Sequence, residues 1–314
     1  ASFVVAVASY RWIERPCLAW LKPSTPANGA PLRPRASKVV YGGVALQLAV
    51  CALAFGLPAM AGQLRDWPEQ VVRYASHVDY RQTPDYAYQY RREVCFFGTS
   101  TSQEYDWDCL KVSDSKPNLV VLGDSHGAQY WRAFSERYTD HHVIQATNSG
   151  CRPLLNSQGE SLCTGVVRHV LGEMLDKHAI RSIVLAARWR ADEVNGLVET
   201  VRYLRSRGVS VLVIGPTVEY DLDFPLVLAR AELQGDMSQV SRHRIESRHQ
   251  LDERMAPLVR EAGATYVSAF SLECPDSGTC TLLDRKDFAP YHFDYGHLTL
   301  AASRELVSQM PEID

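Results

Sequence analysis

From Pro117 onward, five short apolar runs alternate with longer amphipathic stretches, and this alternation constrains the fold more than any other feature of the chain. The runs are 118–122, 142–146, 182–187, 209–214 and 264–267, most of them rich in Val and Ile. Helical patterning occupies about 126–137, 164–178, 191–207 and 238–262, and a last helix begins near Thr299. Strands separated by helices pair through crossover connections, so the sheet they build is parallel and covered on both faces. The expected fold is a three-layer α/β/α sandwich around a parallel five-stranded sheet. Ligands of such sheets bind at the carboxyl ends of the strands. Functional residues are therefore expected just after the runs.

Leu119 to Ser125 reads LVVLGDS: a buried strand, a glycine for a tight turn, an acid, and a serine where the next helix begins. The N–H groups and dipole at a helix start favour the negative oxygen that develops in acyl transfer. Alone the tripeptide is weak, because Asp or Ser at a helix start is ordinarily a cap. Asp294-Tyr-Gly-His297 lies in the loop before the last helix, which Thr299 can cap. A carboxylate three residues before a histidine can fold back onto its ring. A serine hydroxyl needs a base to take its proton, and that base needs a carboxylate on its other nitrogen. Ser125, Asp294 and His297 thus have the types needed for nucleophile, orienting acid and base. The alternatives are a surface loop, or a metal set of His292, Asp294 and His297. His126 adjoins the serine but points away from it on a helix start, which suits a bracing role.

The order Ser, then Asp-x-x-His near the C-terminus, on an alternating α/β pattern, resembles the SGNH or GDSL hydrolase family, whose fold is flavodoxin-like. The resemblance covers about residues 117–310. It assigns the catalytic triad to Ser125, Asp294 and His297. It also implies oxyanion donors at the N–H of Ser125 and at Gly150, in the Asn-Ser-Gly-Cys turn after the second run. Where the family usually has Gly-x-Asn-Asp after the third strand, this chain has Ala186-Ala187-Arg188-Trp189. Arg188 is the candidate third donor, and a surface ion pair is the alternative. The run AARW itself resembles SGNH domains fused to acyltransferase-3 proteins.

The start of the chain carries the same resemblance. Residues 39–61 hold no charge and would reach roughly 34 Å as a helix, enough to span a bilayer. Arg11, Arg15, Lys22, Arg33, Arg35 and Lys38 precede this segment against the single acid Glu14, which places residues 11–38 in the cytoplasm and everything after Gly62 outside. Residues 1–8 read as the end of a truncated membrane helix, and SYRWIERP at 9–16 resembles the motif closing the membrane core of acyltransferase-3 proteins. The expected organisation is 1–38 helix end and cytoplasmic loop, 39–61 transmembrane helix, 62–116 extracytoplasmic extension and 117–314 catalytic domain.

Six cysteines, Cys95, Cys109, Cys151, Cys163, Cys274 and Cys280, follow the membrane segment. Fifteen pairings are possible, and three local ones, 95 with 109, 151 with 163 and 274 with 280, are the simplest. Such a set suits an oxidising compartment. Net charge is −3 overall, and the early basic cluster leaves the rest more acidic still, which argues against nucleic acid as a partner. The Tyr- and Trp-rich extension can stack on sugars or cover a core edge.

The resemblance implies an O-acyltransferase, transferring an acetyl group to a cell-surface polysaccharide such as O-antigen through an acyl-serine. It implies no cofactor in this segment. Acetyl-CoA would be the donor to an upstream acyltransferase-3 core in the bacterial inner membrane, with the catalytic domain in the periplasm. A carbohydrate esterase or deacetylase is the alternative within enzymes, and a non-catalytic glycan-binding module is the alternative outside them.

Overall fold

The structure is a computed structural model, and it describes residues 66–98, 105–158, 161–177, 179–276 and 279–313, together with residues 10, 11, 15 and 50. The chain divides into two compact units, Ala1–Asp66 and Trp67–Asp314, of which the second is described below. The expected transmembrane segment 39–61 lies outside the described residues apart from Val50. Among the described residues no helix is long and apolar enough to cross a membrane.

The sheet is parallel and five-stranded, as expected from the apolar runs. Its strands are β1 (Asn118–Gly123), β2 (His142–Thr147), β3 (Ser182–Ala186), β4 (Ser210–Ile214) and β5 (Thr265–Val267). They lie in the order β2-β1-β3-β4-β5, so the chain reverses its direction of growth between β1 and β3. That switch point is where an open α/β sheet leaves a crevice at its carboxyl edge. Period-two alternation divides the strands between two cores: Val120 and Leu122 face one, Leu119 and Val121 the other.

Helices α1 (Glu69–Ala75) and α2 (Pro84–Tyr90) precede the sheet. Helix α3 (Ser125–Arg137) follows β1, and α4 (Leu162–Arg168) runs on into a wider turn, His169–Met174, before β3. Helix α5 (Val194–Ser206) follows β3, and α6 (Phe224–Gln234) with α7 (Glu246–Glu261) separates β4 from β5. The short α8 (Ala269–Glu273) follows β5, and α9 (Leu300–Gln309) closes the fold. One core joins β1 to α4, α5 and α7, and the other joins it to α3, α6 and α9, which completes the three layers.

The helices depart from the sequence expectation at several points, since α1, α2 and α8 lie where no helix is expected. Helix α6 is absent from it too, because its exposed face carries Leu226 and Leu233 beside Arg230, so apolar residues on both faces hide the helical period. The helix expected at 238–262 is a 3₁₀ turn, Met237–His243, followed by α7, with Arg244 and Ile245 extended between them.

From Trp67 onward the extension belongs to the same compact unit as the sheet. Tyr74, Tyr80, Tyr86, Tyr90 and Tyr105 are buried, whereas Tyr88 and Trp107 are exposed, so most of its aromatic surface covers core. Cys95–Cys109, Cys151–Cys163 and Cys274–Cys280 form the three local disulfides.

Candidate active site

The nucleophile candidate stands where β1 hands over to α3. Asp124 caps the helix by accepting the His126 N–H at 2.8 Å, which makes Ser125 its first residue. The N–H groups of a first helical turn have no intrahelical acceptor. Gly123 is required by close approach and not, as the sequence had implied, by the turn: a Cβ there would lie 1.7 Å from the Ala186 carbonyl oxygen of β3. The strand carrying Ser125 is thereby seated directly against the strand leading to Arg188.

Asp294 and His297 come from the loop before α9, whose N-cap is Thr299, accepting the Ala302 N–H. The loop is closed by the Phe293 N–H on the His297 carbonyl at 2.9 Å. Asp294 Oδ1 accepts the N–H groups of Gly296 and His297 at 3.1 and 2.9 Å. Gly296 lies against Glu219, whose Cγ would be 2.8 Å from a Cβ placed there. His297 Nδ1 lies 2.8 Å from Asp294 Oδ2, and its Nε2 lies 2.8 Å from Ser125 Oγ. The carboxylate assigns the ring proton to Nδ1, which leaves Nε2 to accept the serine hydroxyl proton.

Burial alone would raise the Asp294 pKa. The hydrogen bond and charge of His297, with the two loop N–H groups, outweigh that and hold it far below the usual carboxylate range. Asp294 is therefore ionised across the neutral range. Arg81 Nη2 donates to its Oδ2 at 2.7 Å.

His126 is buried, with Nδ1 3.2 Å from Thr217 Oγ1 and its ring 4.4 Å from that of His297. Burial, then the electrostatic influence of His297 and Arg248, pushes its pKa well below the ordinary value. It braces the site as a neutral ring, and among the described residues the partner of Ser125 Oγ is His297. His292 faces elsewhere: its Nε2 lies 2.6 Å from Glu273 Oε2, and both side chains are buried. It does not join Asp294 and His297 in one ligand set.

The proposed oxyanion donors divide. Gly150 is exposed in a turn closed by the Cys151 N–H on Asn148 O, and that turn starts beside the nucleophile because the Asn148 N–H donates to Gly123 O at 3.1 Å. Arg188 is placed differently from a free donor. Its N–H donates to Asp124 Oδ2 at 3.0 Å, and its Nε and Nη2 donate to Glu219 at 3.0 and 2.7 Å. The ion pair spans the surface and the interior, since the Arg188 side chain is 47% exposed and that of Glu219 1%. Arg248 is ion-paired with the same Glu219, and the Arg188 guanidinium lies 4.8 Å from the Tyr295 ring.

The family described as "SGNH domain (fused to AT3 domains)" matches residues 81–312, most of the chain. The chain belongs to this family. No curated protein matches the sequence. Among solved structures, the SGNH domain is similar to the periplasmic domain of a lipopolysaccharide acetyltransferase from Salmonella ser. Paratyphi A. The TM-score is 0.62 at 17% identity, over 76% of this chain and 97% of that one. A GDSL-like lipase from Bacteroides thetaiotaomicron matches at TM-score 0.37 and 10% identity, over 75% of this chain and 97% of that one. A carbohydrate acetylesterase family member from Sinorhizobium meliloti matches at 0.33 and 14%, over 60% and 93%. The first likeness supports the fold of the SGNH domain.

Sequence reasoning missed Arg81, Arg152 and Glu219. Arg152 pairs with the buried Asp124 and forks onto Glu193 at 3.0 Å, tying the loop after β2 to the nucleophile turn. Local sequence holds no signal for these pairs, because each joins segments that meet only at the carboxyl edge of the folded sheet.

Proposed function

We propose that this SGNH domain transfers an acyl group through Ser125. The observation that carries the reading is the continuous chain of hydrogen bonds from Ser125 Oγ through His297 to Asp294. In the reaction, Oγ attacks the acyl carbonyl carbon and its proton passes to His297 Nε2. The carbonyl electron pair moves to oxygen, where N–H groups of Ser125 and Gly150 are the proposed donors. Collapse of this intermediate expels the donor's leaving group, which takes the proton from His297, and an acyl-serine remains. A second nucleophile then gives its proton to His297, takes the acyl group and restores the serine. Asp294 holds the ring in the required tautomer and stabilises the imidazolium.

Membership of the family places the chain in the hydrolase and acyltransferase class. Within that class we read it as an O-acyltransferase, with a sugar hydroxyl as second nucleophile and a surface polysaccharide such as O-antigen as acceptor. Two observations support this: the family is defined by fusion to acyltransferase-3 domains, and the periplasmic domain it resembles belongs to a lipopolysaccharide acetyltransferase. An acyltransferase-3 core would draw acetyl groups from acetyl-CoA on the cytoplasmic side, and the SGNH domain would act in the periplasm. The three disulfides suit that compartment. Hydrolysis of a chromogenic acetyl ester by wild type and by Ser125→Ala tests the nucleophile. Activity that survives the substitution rejects it. Release of free acetate alone, with no acetylated product in the presence of surface polysaccharide, would favour an esterase.

A further inference from the structure

The two oxygens of Asp294 are held by different parts of the chain. Oδ1 accepts two N–H groups of its own loop, from Gly296 and His297. His297 Nδ1 lies 2.9 Å from Oδ1 and 2.8 Å from Oδ2, and Oδ2 also accepts Arg81 Nη2 at 2.7 Å from 213 residues away. Arg81 lies in the 3₁₀ turn Ser76–Gln82, between α1 and α2. That turn is anchored to the same loop by its neighbour. The Tyr80 ring stacks on Phe293 at 4.7 Å, and Phe293 stacks on His297 at 5.6 Å. The Tyr80 hydroxyl accepts the Leu300 N–H at 2.8 Å and donates to Gln89 Oε1 at 3.1 Å. Arg81 is thus delivered by a buried platform, although its own side chain is 56% exposed.

We infer that Arg81 is a positioning residue for the triad, and that the segment before the sheet completes the active site instead of merely leading to it. This rests on the reading of Ser125, His297 and Asp294 as a nucleophilic relay. The terminal torsion of an aspartate is broad, so a carboxylate held at one oxygen can still swing the other. The guanidinium fixes Oδ2, so that the carboxylate keeps both oxygens within hydrogen-bond reach of Nδ1. Solvent screens a half-exposed pair, so the effect is moderate: Arg81→Gln lowers kcat about tenfold and leaves KM within about twofold, while Arg81→Lys recovers part of the loss.

The experiment measures acetyl-ester hydrolysis by wild type, Arg81→Gln, Arg81→Lys and Ser125→Ala. It also records the His297 Nδ1 proton by NMR, assigned through its loss in Asp294→Asn. The resonance reports the imidazole–carboxylate bond whether or not an ester is turned over, and it is expected to move or broaden in Arg81→Gln and to return towards wild type in Arg81→Lys. A residue that only supported the fold would lower the melting temperature without moving that proton. Hydrolysis that survives Ser125→Ala overturns the relay itself. Hydrolysis that depends on Ser125, with kcat and the proton unchanged in Arg81→Gln, leaves the relay standing and overturns the role of Arg81.

Discussion

The Arg188 N–H donates to Asp124 Oδ2 at 3.0 Å, so the residue before Ser125 is bonded to the loop after the neighbouring strand. Arg152 brings in the loop after β2 through the same carboxylate. Three strand ends therefore meet on Asp124, which is 1% exposed. Burial raises its pKa, and Arg152 with the N–H groups of Arg188 and His126 opposes that rise. Asp124→Ala removes a helix cap and leaves Arg152 without its buried partner. The expected cost is about 3 kcal/mol or more, a fall in melting temperature of about 6–12 °C. A thermal melt within about 2 °C of wild type would show that Asp124 is not the clasp of the site.

Ser125, His297 and Asp294 are expected to act as one unit, because they form a single hydrogen-bonded chain. His297→Ala and Ser125→Ala each lower kcat by at least about a thousandfold, and the double variant is little worse than either. Asp294→Asn preserves the shape but can favour the other imidazole tautomer, so its loss is also large. His126→Ala is milder, since that ring contacts Thr217 and not the serine. Steady-state hydrolysis of an acetyl ester checks the series. Near-wild-type turnover in His297→Ala, with loss in His126→Ala, would reverse the assignment of the base.

His126 gives the fold a pH dependence whose sign follows from its depressed pKa. In the unfolded chain it titrates at about 6.5. Below that pH the unfolded state binds a proton that the folded state refuses, so folding stability decreases with falling pH, by at most about 1.4 kcal/mol per unit from this group. Between pH 7.5 and 5.5 the wild-type melting temperature is expected to fall further than that of His126→Gln. Parallel declines would mean that the ring is not held neutral.

The disulfides differ in the loops they close. Cys151–Cys163 spans 12 residues and Cys274–Cys280 spans 6. In the chain-entropy account the longer loop contributes more, about 3 kcal/mol against slightly less for the shorter. Gly150 also immediately precedes Cys151. The pair Cys151→Ala and Cys163→Ala is therefore expected to lower both melting temperature and kcat, whereas Cys274→Ala with Cys280→Ala costs less stability. Calorimetry together with ester hydrolysis separates the two, and unchanged kcat in the first pair would remove Gly150 from the proposed oxyanion donors.

Local sequence marked the five strands, most of the helices after Pro117, and three residues whose side chains the fold joins in one hydrogen-bonded chain. An unbroken run of apolar, mostly β-branched residues marks a strand buried on both faces, so all five strands were legible to within about one residue. Ser125, Asp294 and His297 were legible because each sits in a short motif beside an element boundary, where a cap or turn constrains its neighbours. Helix α6 was not, since leucines at its exposed positions 226 and 233 blur the amphipathic period. Nor was the scaffold of the site. Arg81 on Asp294 and Arg188 on Glu219 join residues 213 and 31 positions apart. Such pairs depend on which strand ends become neighbours and which loops cross them, and an arginine's own surroundings in the chain look the same whether it ends in solvent or on a buried carboxylate. Only the folded sheet, by bringing the ends of β1, β2 and β3 to one edge and laying the preceding segment across the last loop, decided which charges meet.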